Sequence, residues 1–522
     1  MFKKFIQKLT TTITGGAILI ALFSVVSKIL GLLRDRLFAS MFGAGEIMDM
    51  YYAAFKLPDL VFNTLILGAL SAAFIPVFVT TWKRNKAEAW QVANALLTVL
   101  SIFVGSVSIV VIICAPRIIP WVVPGFENHM LETTVHLTRI MFISVVFFTI
   151  SNVLSGMLNS WKQFTAFSLA PVLYNVGIIL GILLLYPWWG ISGLAWGVVL
   201  GSVFHMSVQL YPVVKKGWRF RPAFAWNSLG VKKVILLMIP RTFALAAGQI
   251  NQLVMVVIAS TLAVGSITIF NLASNLQSVN IIGISLAISC FPVFSEHISQ
   301  KKYNSFKKVF SLNTRRILYV MVPVSAMLFL LRAQVVRLVL GTGEFDWSAT
   351  IMTATTLGFF AISLFAQSLI PLLTRAFYAY EDTKTPVVIS IIGVIINIVG
   401  AWYLRTLYGV GGLALAFSIA SIVQLILLFI FLRIKISLDL PRIFTSFTKV
   451  LVMTLCMSIF VYASLYAVAP LVNMQTFFGV LIQTSVAMIV GGLVYIAMSF
   501  AFNMEEIDVL TRQLKKYLKF LR

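Results

Sequence analysis

Residues 90–115, WQVANALLTVLSIFVGSVSIVVIICA, run for twenty-six positions without a charged side chain. A membrane-spanning barrel strand needs only about ten alternating residues, whereas a helix needs about twenty predominantly apolar ones to cross the hydrocarbon core. Inside lipid every backbone N–H and C=O must find a partner within the protein, and a helix satisfies them within one segment. The stretch therefore reads as a transmembrane helix. Composition extends that reading to all 522 residues: 60% are hydrophobic and 11% charged, with a mean hydropathy of +0.99. A soluble domain carries roughly 25% charged residues, so the solvent for this chain is lipid.

Outward from that segment, apolar runs separated by charged or Gly/Pro-rich breaks predict fourteen spans: 14–42, 47–81, 90–115, 133–158, 164–187, 190–214, 232–262, 266–296, 312–340, 347–378, 385–406, 410–433, 443–469 and 475–502. The N-terminal FKKFIQKLTTTITGGAILIALFSVV is basic then apolar, as a signal peptide is. Its apolar run continues into SKILGLLRDRLFASMFG without a small-residue cleavage site, which makes it the first span, uncleaved. Placing the N-terminus in the cytoplasm and alternating sides puts 29 of the 40 Lys and Arg on the cytoplasmic side, from Lys3, Lys4 and Lys8 to Arg512, Lys515, Lys516, Lys519 and Arg522. The opposite side receives only Arg117, Arg332, Arg337 and Arg405. This asymmetry predicts a multi-pass protein of the bacterial cytoplasmic (inner) membrane with both termini inside. It also reassigns the net charge of +24 from nucleic acid to the anionic leaflet. The tail EEIDVLTRQLKKYLKFLR reads as a basic interfacial helix.

The halves resemble each other at offsets of 216 to 220 residues. Ala39-Ser40, Gly45 and Ala53 match Ala259-Ser260, Gly265 and Ala273; Phe74-Ile75-Pro76-Val77-Phe78 echoes Cys290-Phe291-Pro292-Val293-Phe294; Gly193-Leu194-Ala195 with Ser202 echoes Gly412-Leu413-Ala414 with Ser421. Six helices per copy is an even number, so the copies share one orientation. The expected fold is an all-α membrane protein of two six-helix parallel repeats around a central cavity, plus two C-terminal helices. Its expected divisions are an N-terminal lobe 1–225 (spans 1–6), a C-terminal lobe 226–440 (spans 7–12), and 441–522 with the last two spans and the tail.

Seven cations fall within or at the edges of spans: Lys28, Arg34, Arg36, Lys56, Arg139, Arg241 and Arg375. A charge inside the membrane costs on the order of 2.5–3.5 kcal/mol on insertion scales and seeks a wet cavity or a partner. Two readings stand. In one, Lys28, Arg34 and Lys56 line a cationic site for an anionic headgroup, with Arg's planar fork suited to phosphate oxygens, and Asp35 and Asp49 orient them. In the other, the same charges form ion pairs that fasten the first span to the second. Asp35, seven residues after Lys28, is placed to pair with it, and Asp49 opens the second span, where a carboxylate complements the helix dipole. Arg36 snorkels or joins the site. Arg139, Arg241 and Arg375 lie near span ends, where snorkelling is expected. Pro58, Pro76, Pro240, Pro292 and Pro371 predict bends or hinges. The turn Gly43-Ala44-Gly45 reads as a tight connection only.

Cys114, Cys290 and Cys456, and His129, His136, His205 and His297, are scattered, without metal-ligand spacing. No paired-carboxylate motif, phosphate-cradling Gly-rich loop or nucleophile elbow occurs. The sequence thus predicts no metal, no cofactor and no enzyme.

Ser27-Lys28-Ile29-Leu30-Gly31-Leu32-Leu33-Arg34-Asp35, followed by Phe42-Gly43-Ala44-Gly45, Asp49 and Ala54-Phe55-Lys56-Leu57-Pro58-Asp59, resembles the opening signature of the MurJ (MviN) lipid II flippase family. So do Gly68-Ala69-Leu70-Ser71-Ala72-Ala73-Phe74-Ile75-Pro76-Val77-Phe78 and Arg375-Ala376-Phe377-Tyr378-Ala379 with Glu381-Asp382-Thr383-Lys384-Thr385-Pro386. The resemblance implies movement of an anionic lipid-linked saccharide, the peptidoglycan precursor, from the inner to the outer leaflet by alternating access. It implies Arg34, Asp49 and Lys56 as family positions and Lys28 where the family usually has Arg. There are departures: Phe62 and Leu67 stand where the family commonly places Arg and Glu, Asn275 at an Arg position of the eighth span, Ser278 near it in place of an acid, and Gln249 and Asn251 where some members have a sodium-binding acid. Competing expectations are a flippase for another polyprenyl-linked saccharide, a cationic-drug exporter, which the basic site disfavours, and a membrane scaffold recruiting envelope-synthesis enzymes.

Overall fold

The computed structural model describes residues 13–224, 229–278, 281–436, 438 and 440–507. Lys3, Lys4, Lys8 and the expected tail helix with Arg512, Lys515, Lys516, Lys519 and Arg522 lie outside them. Among the described residues every regular element is helical: α1 (Ile13–Phe42), α2 (Glu46–Val61), α3 (Gly68–Arg84), α4 (Lys86–Val122), α5 (Asn128–Ser160), α6 (Phe164–Leu180), α7 (Tyr186–Trp189), α8 (Ile191–Lys215), α9 (Leu229–Ser260), α10 (Ser266–Leu276), α11 (Ile281–Ser299), α12 (Tyr303–Leu330), α13 (Arg332–Leu340), α14 (Trp347–Ala361), α15 (Leu364–Ala379), α16 (Lys384–Tyr408), α17 (Val410–Lys435), α18 (Leu440–Val468) and α19 (Phe477–Ala501). π-helical stretches Phe62–Leu67 and Gly181–Leu185 join α2 to α3 and α6 to α7. Each of the fourteen expected spans is one helix or a short run of consecutive helical segments. By length and composition, nine described helices can cross a membrane, ten if α12 and α13, bent by 72° at Leu331, count as one span. The other four expected spans fall on α1, α2–α3, α9 and α10–α11.

Helix starts leave backbone N–H groups without an intrahelical partner, and three described helices receive a side-chain cap from the residue just before them. Asn85 accepts from the N–H groups of Ala87 (2.9 Å) and Glu88 (3.3 Å) at the start of α4. Asp346 does so for Ala349 (2.7 Å) and Thr476 for Gly479 (3.0 Å). At the α12–α13 bend, Arg332 donates Nη1 to the Phe329 carbonyl at 2.7 Å and lies over the Phe329 ring. Pro58, Pro76, Pro292 and Pro371 sit inside α2, α3, α11 and α15. Only Pro58 is followed within four residues by a π-helical stretch. The Pro240 side chain is outside the description.

The chain forms two compact units, Met1–Thr268 with Thr342–Phe345, and Ile269–Gly341 with Asp346–Arg522. In the first, Phe74, Phe78, Leu96, Phe142, Leu154 and Met157 form a buried core. In the second, Phe294, Phe306, Phe310, Leu372 and Phe377 share a core with Met453 and Val461 of α18. There the last two spans dock on α12: Tyr319 Oη donates to Ser499 Oγ at 2.8 Å, and Tyr495 Oη to the Tyr319 carbonyl at 2.7 Å.

Taken separately, the units show the same backbone devices at one offset of 219 residues. Gly190 and Gly409 both adopt φ 54°, with ψ −142° and −134°. A Cβ on Gly193 would meet Leu185 C at 2.4 Å; one on Gly412 would meet Leu404 C at 2.5 Å. After α5, the N–H groups of Lys162 and Gln163 bond the carbonyls of Asn159 and Leu158; after α15, those of Glu381 and Asp382 bond Tyr378 and Phe377. Lys162 and Glu381 take the left-handed position, φ 58° and 59°. Backbone geometry thus carries the repeat where side chains have diverged.

Candidate functional site

The first unit gathers the charges of the first two spans. α1 packs on α6, and the seam is polar at Asn175. Asn175 Nδ2 donates to the Ser27 carbonyl (3.3 Å) and Oγ (3.2 Å), and to its own Pro171 carbonyl (3.1 Å). Its Oδ1 accepts from Arg34 Nη1 at 3.2 Å. Arg34 also donates Nε and Nη2 to Asp35 Oδ1, at 3.1 and 2.8 Å. The side chains of Arg34 and Asp35 are 21% and 4% exposed, so the pair is largely shut away from solvent, and each of the three guanidinium nitrogens has a protein partner. The i, i+7 spacing suggested Lys28 for Asp35. Seven residues rise about 10.5 Å along a helix, and the long arm of the adjacent Arg34 folds onto the carboxylate instead. Arg34 and Asp35 form an ion pair within α1 that also reaches α6 through Asn175, which is not the link from the first span to the second that the ion-pair reading expected.

Lys28 is exposed, amid the exposed apolar side chains Leu22, Val25, Val26 and Ile29. Six residues at 100° each set it about 120° around α1 from Arg34, so the two cations do not share a face. Arg36 is half-buried on the same helix. Lys56 is half-buried on α2, one turn before Asp59, whose charge attracts it. Asp59 Oδ1 accepts from Asn63 Nδ2 at 2.7 Å.

Asp49 has a different office from the one expected. It lies in the first turn of α2, but its carboxylate, 3% exposed, turns away from its own helix. Oδ2 accepts from the Gly265 N–H at 2.7 Å; Oδ1 accepts from the Thr268 N–H at 2.8 Å and Thr268 Oγ1 at 2.6 Å. It caps the N-terminus of α10. The turn Gly43-Ala44-Gly45 is likewise more than a connection. The Glu344 N–H donates to the Ser40 carbonyl at 3.0 Å. A Cβ on Gly43 would lie 2.6 Å from Glu344 O, one on Gly343 2.1 Å from Ser40 O, and one on Gly265 2.2 Å from Ala44 O. All three glycines have positive φ, so glycine is demanded there by both conformation and space.

A pocket of about 240 Å³ opens beside the Arg34 knot, lined by Pro58, Asp59, Phe62, Phe148, Tyr174 and His205 among others. Tyr174 and Asn175 are neighbours on α6, so pocket and knot meet on one turn. Phe62, where the family commonly has Arg, packs its ring 4.7 Å from Phe148 and begins the π-helical stretch that ends at Leu67. π-bulges inside helices recur at functional sites. The Leu67 side chain is outside the description. His205 Nδ1 lies 2.7 Å from Ser151 Oγ, and Gln209 Nε2 donates to that oxygen at 2.8 Å. Sequence reasoning did not single out Asn175, and it named Asp59 only within the family signature and His205 only as a scattered histidine. The available signal was Ser151/Ser155 and His205/Gln209, two polar i, i+4 pairs inside apolar spans, and Asn175 in another.

Of the span-end cations, Arg139 donates to the Ile112 carbonyl at 3.0 Å and Arg375 to the Pro371 carbonyl at 3.1 Å. The Arg241 side chain is outside the description. In the second unit, Asn275 is exposed in the last turn of α10, its carbonyl accepting from Ser278 Oγ at 2.6 Å. The adjacent Gln277 is buried and accepts from Gln367 Nε2 at 3.1 Å; Gln367 also donates to Ser363 Oγ at 2.9 Å. Among the described residues no three His, Cys, Asp or Glu gather around a metal position, and the three cysteines are free thiols.

Nine or ten described helices long and apolar enough to cross a membrane, with repeated halves, define a polytopic membrane protein. A family model described as lipid II flippase MurJ matches residues 38–486. The chain belongs to that family. It is 29% identical over 490 residues to a probable lipid II flippase MurJ of Buchnera aphidicola (subspecies Acyrthosiphon pisum), covering 92% of this chain and 95% of the relative. It is 30% identical over 423 residues to the lipid II flippase MurJ of Burkholderia cenocepacia, covering 79% and 82%. In fold it is similar to a solved structure titled lipid II flippase MurJ, inward closed conformation: TM-score 0.77, 23% identity, 94% of this chain and 100% of that one.

Proposed function

We infer that this protein is a lipid II flippase that carries undecaprenyl-pyrophosphate-linked peptidoglycan precursor from the inner to the outer leaflet by alternating access. The family match over residues 38–486 carries the reading. The charge asymmetry supports a bacterial cytoplasmic membrane location with both termini inside, and the 219-residue repeat supports lobes at 1–225 and 226–440 with 441–522 as an appendage. Arg34 supplies the phosphate-gripping element. Asp35 and Asn175 bond each of its nitrogens once and hold it in place, and a phosphate would compete for the remaining N–H groups. Lys28 and Lys56 add positive potential. Asp49 serves the architecture. We assign no catalytic or nucleotide-dependent step. Because lipid II is made on one face and consumed on the other, envelope-synthesis enzymes are the partners assigned.

Complementation of a conditional lipid II flippase strain tests this. Wild type sustains growth; Lys28→Ala and Arg34→Ala, expressed at equal level, lower or abolish it. Failure of well-expressed wild type points to another lipid-linked saccharide. Survival of all three removes Lys28 and Arg34 from the mechanism.

A further inference from the structure

A second pocket, this one cationic, lies in the first unit, at the start of α4. It measures about 310 Å³ and is lined by Trp90, Gln91, Asn94, Gly217, Arg219 and Arg221 among others. No acid lines it. Glu88, in the first turn of α4, is engaged by Arg84.

The segment after α8 is built into this place. Trp218 is buried and donates Nε1 to Asn94 Oδ1 at 2.8 Å, Asn94 Nδ2 donates to the Arg219 carbonyl at 3.1 Å, and the Ala223 N–H donates to Thr98 Oγ1 at 3.3 Å. The segment is thereby pinned along the third and fourth turns of α4. Pinning leaves Arg219 and Arg221 exposed at the pocket and Phe220 and Phe224 exposed beside them. Alternating arginine and phenylalanine suits a headgroup boundary, where rings enter the acyl edge and guanidiniums stay with phosphates.

Next to the pocket, Trp82, Trp90 and Trp161 pack mutually at 4.9 to 5.6 Å. Tryptophan clusters of this kind mark the membrane–water interface. Lys86 lies over Trp82 and Lys216 over Trp161, at 5.8 and 4.7 Å. Burial, and then repulsion from Lys86, push the Lys216 ammonium down from its ordinary value. Cations are thus crowded here, and among the described residues lining the pocket there is no carboxylate.

We propose that this pocket binds the phosphate of an anionic phospholipid in the cytoplasmic leaflet, with Arg219 and Arg221 as the grip and Gln91 as a further donor. The leaflet rests on the orientation given above. Basic pockets between helices on that side are suited to acidic headgroups, and Arg's fork matches phosphate oxygens.

The test uses the full chain, delipidated in detergent and offered phosphatidylglycerol or phosphatidylcholine, with retained lipid counted by native mass spectrometry. Wild type is expected to retain one phosphatidylglycerol with roughly tenfold preference over phosphatidylcholine. Arg219→Gln/Arg221→Gln removes that preference, and Gln91→Glu, which sets a carboxylate in the pocket, does the same. Lys301→Gln/Lys302→Gln, removing two charges elsewhere, leaves it intact. Unchanged preference in both pocket variants overturns the site. Displacement of the retained lipid by millimolar inorganic phosphate overturns the lipid as its source. Retention is read without transport, so this outcome and that of the complementation test are separable.

Discussion

Asp49 shows how one side chain resists being read from its neighbours in sequence. Its place in the first turn of α2 suggests service to its own helix dipole. Its three hydrogen bonds run instead to Gly265 and Thr268, more than 200 residues away. Nothing local announces such a partner, since an acid near a turn is compatible with either office. The consequence is measurable. Asp49→Ala strands two backbone N–H groups and a hydroxyl that are shut away from water. Losing a cap costs on the order of 1 kcal/mol and leaving buried donors unpaired adds a similar amount or more, so a loss of about 2–3 kcal/mol is expected. Asp49→Asn keeps one acceptor oxygen and falls between. Denaturation of the detergent-solubilised chain reads the order wild type, Asn, Ala. An Ala variant as stable as wild type would show that the cap contributes nothing. Arg34 and Asp35 teach the complementary lesson: chemistry at depth was legible from composition alone, but the pairing was not, because rotamers rather than helical angles decide which oxygen an arginine reaches.

At the scale of elements, the spans were legible because the physics that makes them is local. Apolar length and the need to bond every backbone group act within one segment. The breaks were harder. The 72° bend at Leu331 falls inside one uninterrupted expected span, and no proline stands at it. The close seam of α6 with α8 was invisible too, since glycine in an apolar run signals nothing about which helix comes near. A Cβ on Gly177 would lie 2.2 Å from Gly201 Cα, and one on Gly181 2.4 Å from Gly197 Cα. These neighbours are backbone atoms, which cannot rotate away, and small residues at such seams are what let membrane helices approach. Gly177→Ala must push the helices apart and is expected to cost about 1–3 kcal/mol, the usual range for overpacking. Gly105, in the middle of α4, has open space at its Cβ position. Gly105→Ala should be neutral or raise stability by up to about 1 kcal/mol through helix propensity. Melting both variants side by side separates packing from propensity. Equal shifts would mean the seam is looser than its distances.

For the whole molecule, the weak sequence echoes at offsets of 216 to 220 resolve into a single register of 219 once backbone angles replace residue identities. Side chains diverge in lipid with little penalty, because one apolar residue packs nearly as well as another. A turn that reverses a helix within two residues has few solutions and keeps its conformation. Lys162 and Glu381 occupy one such turn, the left-handed residue closing a helix C-terminus, where glycine is ordinarily found. Both side chains are exposed, so replacing either relieves the Cβ clash at small cost in contacts. Glycine's greater freedom in the unfolded chain offsets part of the gain. Lys162→Gly and Glu381→Gly are each expected to stabilise by about 0.5–1 kcal/mol. They lie in separate compact units, so the double variant should equal the sum within roughly 0.5 kcal/mol. The measurement is the apparent melting midpoint of both single variants and the double. Matching single shifts that add would show that the two halves hold their reversals with the same strain, independently. A gain in one half with a loss in the other would mean that the shared angles conceal different local demands, and the repeat would then be a likeness of path without a likeness of energetics.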